Sequence, residues 1–162
     1  MTVAPIEMSQ ILPPVDNPTR AYVAGAVASG RRNLPLEINP ALASLSALLV
    51  DGEGSQLVIR FTAPQSATQG NGVVSGGTLA NMLDLAMAMA VLSQLEPGQT
   101  CATISLTVNM QSAGQQGHFI AVARVDRIGR QIAFAEARLY DAERSRLIAN
   151  ATSSLAVFPV RA

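Results

Sequence analysis

The chain of 162 residues has no lysine and no tryptophan, a single cysteine and a single histidine, and only 14% charged residues. Each scarcity closes a class of function. The lone Cys101 excludes an internal disulfide framework and permits a reducing compartment, so the expected location is cytoplasmic. It reads as a small hydrophobe at the start of a strand. One Cys and one His at unrelated positions cannot assemble a metal site. Eleven acidic residues balance eleven basic ones, which leaves no electrostatic footprint for nucleic acid or a membrane surface. All eleven bases are arginine, a sign of coding bias rather than of function. The first residues lack a basic region followed by an apolar one, so no secretory signal is read there. No internal repeat or low-complexity tract is visible.

The length suits one domain with a sizeable core. The stretch that organises it runs from Gln69 to Glu96. A glycine-rich loop (Gly70, Gly72, Gly76, Gly77) leads into a segment, Thr78 to Leu95, whose interior polar residues are only Asn81, Asp84, Ser93 and Gln94. Ala, Leu and Met are strong helix formers, and the segment predicts a helix of about 27 Å. Because it is apolar nearly all round, protein must wrap it on most faces. A membrane span is excluded by its length, short of about 20 apolar residues, and by the carboxylate near its middle. Pro97-Gly98 stops it.

Asp84 is the anomaly. A buried, unpaired carboxylate is costly, and no Lys, Arg or His lies within one turn of it. Two readings stay open: a carboxylate satisfied by backbone or hydroxyl groups of a neighbouring strand, or a group working in a cleft. Gly76 and Gly77 stand at the helix N-terminus, where free N–H groups and the helix dipole favour an anion or a developing oxyanion. Gly76 and Asp84 are about 12 Å apart along one helix, too far to touch one small reacting group.

Elsewhere the chain reads as follows. Residues 1–16, with Pro5, Pro13 and Pro14, are expected to form an extended or mobile arm. Asn17-Pro18 opens a short helix, Pro18–Ala28, and Pro35 and Pro40 keep the chain irregular until about Ala43. Leu45–Val50 and Gln56–Thr62 flank Asp51-Gly52-Glu53-Gly54, a hairpin signal. After the helix, Ile104, Leu106, Val108 and Met110 alternate with Thr103, Ser105, Thr107 and Asn109. His118–Arg127 and Gln131–Tyr140 form a second hairpin, and Leu147–Phe158 is the last strand. Two strands, one long buried helix and four strands predict an α+β fold, an antiparallel sheet around a central helix.

Gln69-x-x-Gly72-x-x-Ser75-Gly76-Gly77, with Asp84 nine positions after Ser75, resembles the motif of hotdog-fold acyl-CoA thioesterases. The phenylacetate-pathway and 4-hydroxybenzoyl-CoA branches are closest in pattern. Many members carry His where Ser75 stands, and the frequent Arg-Pro after the next strand is replaced by Ser112-Ala113. The resemblance covers roughly residues 45–158 and implies a hotdog domain over 43–160, preceded by an extension over 1–42 that contains the short helix. It implies hydrolysis of an aryl- or medium-chain acyl-CoA, with no cofactor beyond the coenzyme A of the substrate, in a homodimer or homotetramer whose site is shared between copies.

In that scheme the Gly76 N–H stabilises the oxyanion and Asp84 activates water or attacks directly. Gln69 holds the carbonyl or the water, and Thr103 orients water near the acid. Ser75 and Gly77 complete the substrate loop. Gln69 and Thr103 are equally read as groups bonded to backbone. Arg127 and Arg130, around Gly129, are candidates for the phosphates of coenzyme A, or plain surface arginines. Ser75 has no histidine base and is not read as a nucleophile. His118 reads as an exposed strand-end residue, which argues against dehydratase chemistry. The alternative function is a non-catalytic acyl-CoA-binding hotdog, a ligand sensor or degenerate homologue. Residues 1–42 are too short and proline-broken for the DNA-binding part of a sensor.

Overall fold

A computed structural model describes residues 15–161. The arm expected over residues 1–16 therefore falls almost wholly outside the described residues. The elements are α1 (Pro18–Ala28), β1 (Leu34–Pro35), α2 (Pro40–Ser44), β2 (Leu48–Glu53), β3 (Gln56–Ala63), α3 (Gly76–Leu92), β4 (Gln99–Met110), β5 (Gly117–Ile128), β6 (Ile132–Asp141) and β7 (Leu147–Pro159). The seven strands of the described residues form one antiparallel sheet in the order β1-β2-β3-β5-β6-β7-β4. α3 packs across its inner face against β3, β4, β5, β6 and β7. This is the hotdog architecture, α+β.

The core lies between that sheet face and α3. Leu79, Met82, Leu83, Ala86, Met87 and Ala90 of α3 meet inward residues such as Ile59, Phe61, Phe119, Leu139 and Leu155. Alanines on the inner rows of β5, β6 and β7 (Ala121, Ala123, Ala133, Ala135, Ala137, Ala151) are all buried. Short side chains there let a helix come close to the sheet, and each large apolar side chain buried on the facing surfaces contributes roughly 1.5–3 kcal/mol. The small residues of β5 and β6 thus face the chain's own helix.

Two short helices begin alike. The Asn17 side chain accepts from the N–H groups of Thr19 and Arg20, with Pro18 at the first helical position, where a missing N–H costs nothing. Asn39 and Pro40 repeat the device and make α2, a segment the prolines were expected to keep irregular. α1 is then tied to the far end of α3. Arg20 donates from Nη1 to the Leu95 carbonyl at 3.1 Å and forks onto Asp16 through Nε and Nη2. Asp16 accepts from the Gly98 N–H at 3.0 Å, and Asn17 Nδ2 donates to Thr100 Oγ1 at 2.8 Å.

Several boundaries differ from expectation for local reasons. α3 starts two residues early, at Gly76, because Ser75 caps it and accepts from the Thr78 N–H. It ends at Leu92, three residues short of the predicted end, with Ser93 as C-cap. β2 begins at Leu48 rather than Leu45, since Ser46 takes a left-handed φ of 44°. The first hairpin turns at Gly54-Ser55 rather than over 51–54. In β4 a bulge between Thr103 and Ser105 leaves Ile104 unpaired and 57% exposed. The clean alternation read from the sequence breaks there, as an extra residue in a strand requires.

Candidate active site

The loop before α3 is closed by paired bridges, Thr68 with Val74 and Val73 with Gln115. Gly72 turns it with φ of 77°, a conformation that costs glycine least. The Val74 N–H donates to the Gly114 carbonyl at 2.8 Å. Gly114 cannot be replaced freely, because a Cβ there would lie 2.8 Å from the Phe119 ring. The loop therefore delivers the α3 N-terminus to a fixed place at the end of β4.

At that terminus the Ser75 hydroxyl is engaged with Thr78, sharing a 2.9 Å hydrogen bond with Thr78 Oγ1. The N–H groups of Gly76 and Gly77 have no acceptor among the described residues, as the first turn of a helix leaves them. Beside Gly76 is a cavity of about 320 Å³ lined by Val73, Val74, Leu79, Met110 and the segment Gln111–Gly114. Met110 Cε comes within 3.5 Å of where a Gly76 Cβ would stand. Met110 to Gly114 were not singled out as site residues from sequence. The signal was the small-residue run Ser112-Ala113-Gly114, one residue past the end of a strand.

Asp84 sits two turns further along α3, half-buried, and faces β4. Thr103 Oγ1 donates to Asp84 Oδ1 at 2.7 Å. One turn on, the Cys101 thiol lies 4.0 Å from the Ala88 carbonyl. Burial, and then the negative charge of Asp84, push that thiol up to about 12, so it stays neutral at physiological pH. The Asp84–Thr103 pair is open to solvent along the outer edge of the sheet, where β4 has no further strand beside it among the described residues.

Among the expected site residues, Asp84 and Thr103 come together, as do Ser75, Gly76 and Gly77. The Gln69 backbone closes the loop, its N–H donating to the Val73 carbonyl at 2.7 Å, while its side chain is exposed. Arg127 lies on the opposite face of the sheet from α3, its guanidinium 5.9 Å over the ring of Phe134. A bulge between Val125 and Arg127 turns it there. Arg130 is exposed at the tip of the same hairpin. Across the register, that tip aligns with Thr103 (Ile128 with Ala133, Leu155 and Thr103), whereas Gly76 lies against Met110, seven residues or about 23 Å along β4. His118 is exposed, its Nδ1 2.8 Å from Thr62 Oγ1. No helix among the described residues is long and apolar enough to cross a membrane.

Comparison with known proteins decides the family. The model of the thioesterase superfamily matches residues 71–148, from the loop before α3 into β7. A candidate esterase of Pseudomonas aeruginosa is 32% identical over 98 residues, 60% of this chain and 72% of its own length. The chain belongs to the thioesterase superfamily. It is a thioester hydrolase by that membership. A phenylacetic acid degradation-related protein of Ralstonia eutropha is 26% identical, with a TM-score of 0.72 over 86% of this chain and 99% of its own. A Bacillus halodurans protein solved with CoA is 28% identical, with a TM-score of 0.59 over 62% of this chain and 66% of its own.

Proposed function

We propose that this thioesterase hydrolyses an aryl- or medium-chain acyl-CoA to the free acid and coenzyme A, in the cytoplasm. The observation that carries the reading is the Asp84–Thr103 pair: a carboxylate in the middle of a mostly apolar helix, held by a hydroxyl and left open to solvent. A carboxylate with one oxygen bonded retains lone pairs to take a proton from water or to attack a carbonyl. The CoA bound to the Bacillus halodurans relative supports the substrate class.

The chemistry divides between two ends of α3. Gly76, with its free N–H at the positive end of the helix, stabilises the oxyanion that forms when the thioester carbonyl is attacked. Asp84 supplies the base or nucleophile, Thr103 orients it, and Gln69 holds the carbonyl or the water. Ser75 fixes the helix start by capping, and Gly77 offers a second N–H without a side chain to obstruct the substrate. Because about 12 Å separates Gly76 from Asp84 along one helix, a complete site takes the loop of one copy and the acid of another. A homodimer or homotetramer meets that need, and the unpaired edge of β4 offers a surface for it. Arg127 and Arg130 are assigned to the phosphates of the substrate. No cofactor is required, since coenzyme A enters as part of the substrate.

Turnover of a panel of acyl-CoA thioesters, followed by released thiol, tests this directly. Thiol release from at least one aryl- or medium-chain member is expected. Binding of every member without hydrolysis, by parent and Asp84→Asn alike, would leave a non-catalytic acyl-CoA-binding protein instead.

A further inference from the structure

The outer face of the sheet, away from α3, carries a second concavity of about 320 Å³. It is lined by Gln56, Val122, Arg124, Glu136, Arg138 and Tyr140, with Arg144 at its rim. Three guanidinium groups thus face one carboxylate. Arg124 is already engaged, donating from Nη2 to Glu136 at 2.9 Å and to Asp126 at 3.1 Å. Arg138 and Arg144 make no ion pair among the described residues, so two positive charges remain uncompensated in one hollow.

Arg144 is set in place. Its backbone takes a left-handed φ of 56°, fixed by a turn in which its N–H donates to the Asp141 carbonyl at 3.0 Å. The Asp141 carboxylate accepts from the Ser145 hydroxyl and from the Ser145 and Arg146 N–H groups. Those donors, the Ser145 hydroxyl first, hold Asp141 below the ordinary carboxylate range, so the carboxylate that accepts these bonds is ionised at physiological pH. The guanidinium then lies 5.8 Å over the Tyr140 ring, a cation–π contact that restricts it further. Arg138 stands two residues before Tyr140 on the same strand face, about 6.6 Å away. Arg138 and Arg144 line the same hollow, and planar guanidinium forks match phosphate oxygens. Small-molecule sites begin at about 300 Å³, so the hollow has room beyond a single phosphate. Val122, the Tyr140 ring and the Gln56 amide are there to receive a base or sugar.

We propose that this hollow binds the phosphate groups of a free nucleotide, separately from the thioester site built on Gly76 and Asp84. Isothermal titration of the full chain with adenosine 3′,5′-bisphosphate at low ionic strength tests it. One site per chain is expected, weakened by added salt. Arg138→Gln and Arg144→Gln should each weaken binding about tenfold, and the double variant should show none. Arg161→Gln, an exposed residue beyond the end of β7 and remote from the hollow, should bind like the parent. Absence of binding at millimolar ligand, or full affinity in a double variant that melts like the parent, overturns the proposal. Two further arms fix the source of the phosphate. Pyrophosphate binding as tightly as the nucleotide would reduce the site to a phosphate site and overturn the nucleotide assignment. A KM raised about tenfold in the double variant for a CoA thioester, but unchanged for the matching pantetheine thioester, would give the hollow to the substrate's own tail and overturn its independence.

Discussion

Thr103 Oγ1 stands 2.7 Å from Asp84 Oδ1, and this one hydrogen bond joins the middle of α3 to the outermost strand of the sheet. If it positions the acid, Thr103→Val should lower kcat about tenfold with little change in KM, and Thr103→Ser should restore most of the loss. A hydroxyl serving only the fold would instead lower the melting temperature and leave kcat per folded molecule intact.

Asp84→Asn keeps the shape and the acceptor for Thr103 but removes the base or nucleophile. Turnover should fall about 10²–10⁴-fold. Binding of an unreactive acyl-CoA analogue should hardly change, and the thermal midpoint should hold or rise as a half-buried charge is lost. The opposite pairing, a lower midpoint with activity retained, would make Asp84 structural.

The assembly is testable through β4. Its inward residues Leu106 and Val108 are only half covered, and Ile104 projects at the bulge. An exposed edge of this length invites pairing with another chain. Sedimentation at micromolar concentration should give a dimer or larger. Ile104→Glu should shift the distribution toward monomer and reduce turnover in parallel. A clean monomer with full activity would show that one chain suffices.

Acid stability should depend on Asp16. The Arg20 hydrogen bonds, followed by the Gly98 N–H, lower its carboxyl from 3.8 to about 2. A depressed folded-state value means the contribution is fully present above pH 4 and is lost as pH falls from about 4 toward 2. The melting temperature of the parent should therefore drop across that window. In Asp16→Asn the drop should be shallower, with a lower midpoint at pH 7.

Much of this molecule is legible in its sequence, and the misreadings are instructive. α3 stood out because nothing in Thr78–Leu95 opposes a helix. Its true start was hidden because Gly76 and Gly77 are poor helix residues, overridden by the Ser75 cap. The α2 helix was missed by treating Pro40 as a breaker, although Asn39 before it repeats the Asn17-Pro18 pattern. Ile104 was placed on the inner row because alternation carries no mark of a bulge. The meeting of Asp84 with Thr103 spans 19 positions and two elements, so only the family resemblance pointed to it. The face occupied by Arg127 depends on another bulge and was equally out of reach. The outer hollow joins β3, β5, β6 and the turn after β6, and no local spacing brings those together.

The place of β4 in the sheet also bears on how the chain folds as it is made. Among the described residues its only sheet neighbour is β7, whose paired residues lie 39 to 60 positions downstream, from Met110 with Ala149 to Gln99 with Pro159. At about 5–20 residues per second, the ribosome leaves β4 without a partner for roughly 2–12 s. Over that interval α3 and β4 emerge as an apolar helix followed by an unmatched strand, the kind of nascent segment that holding chaperones bind. β7 then enters between β6 and β4, so the insertion that completes the sheet also releases the chain from that exposed state.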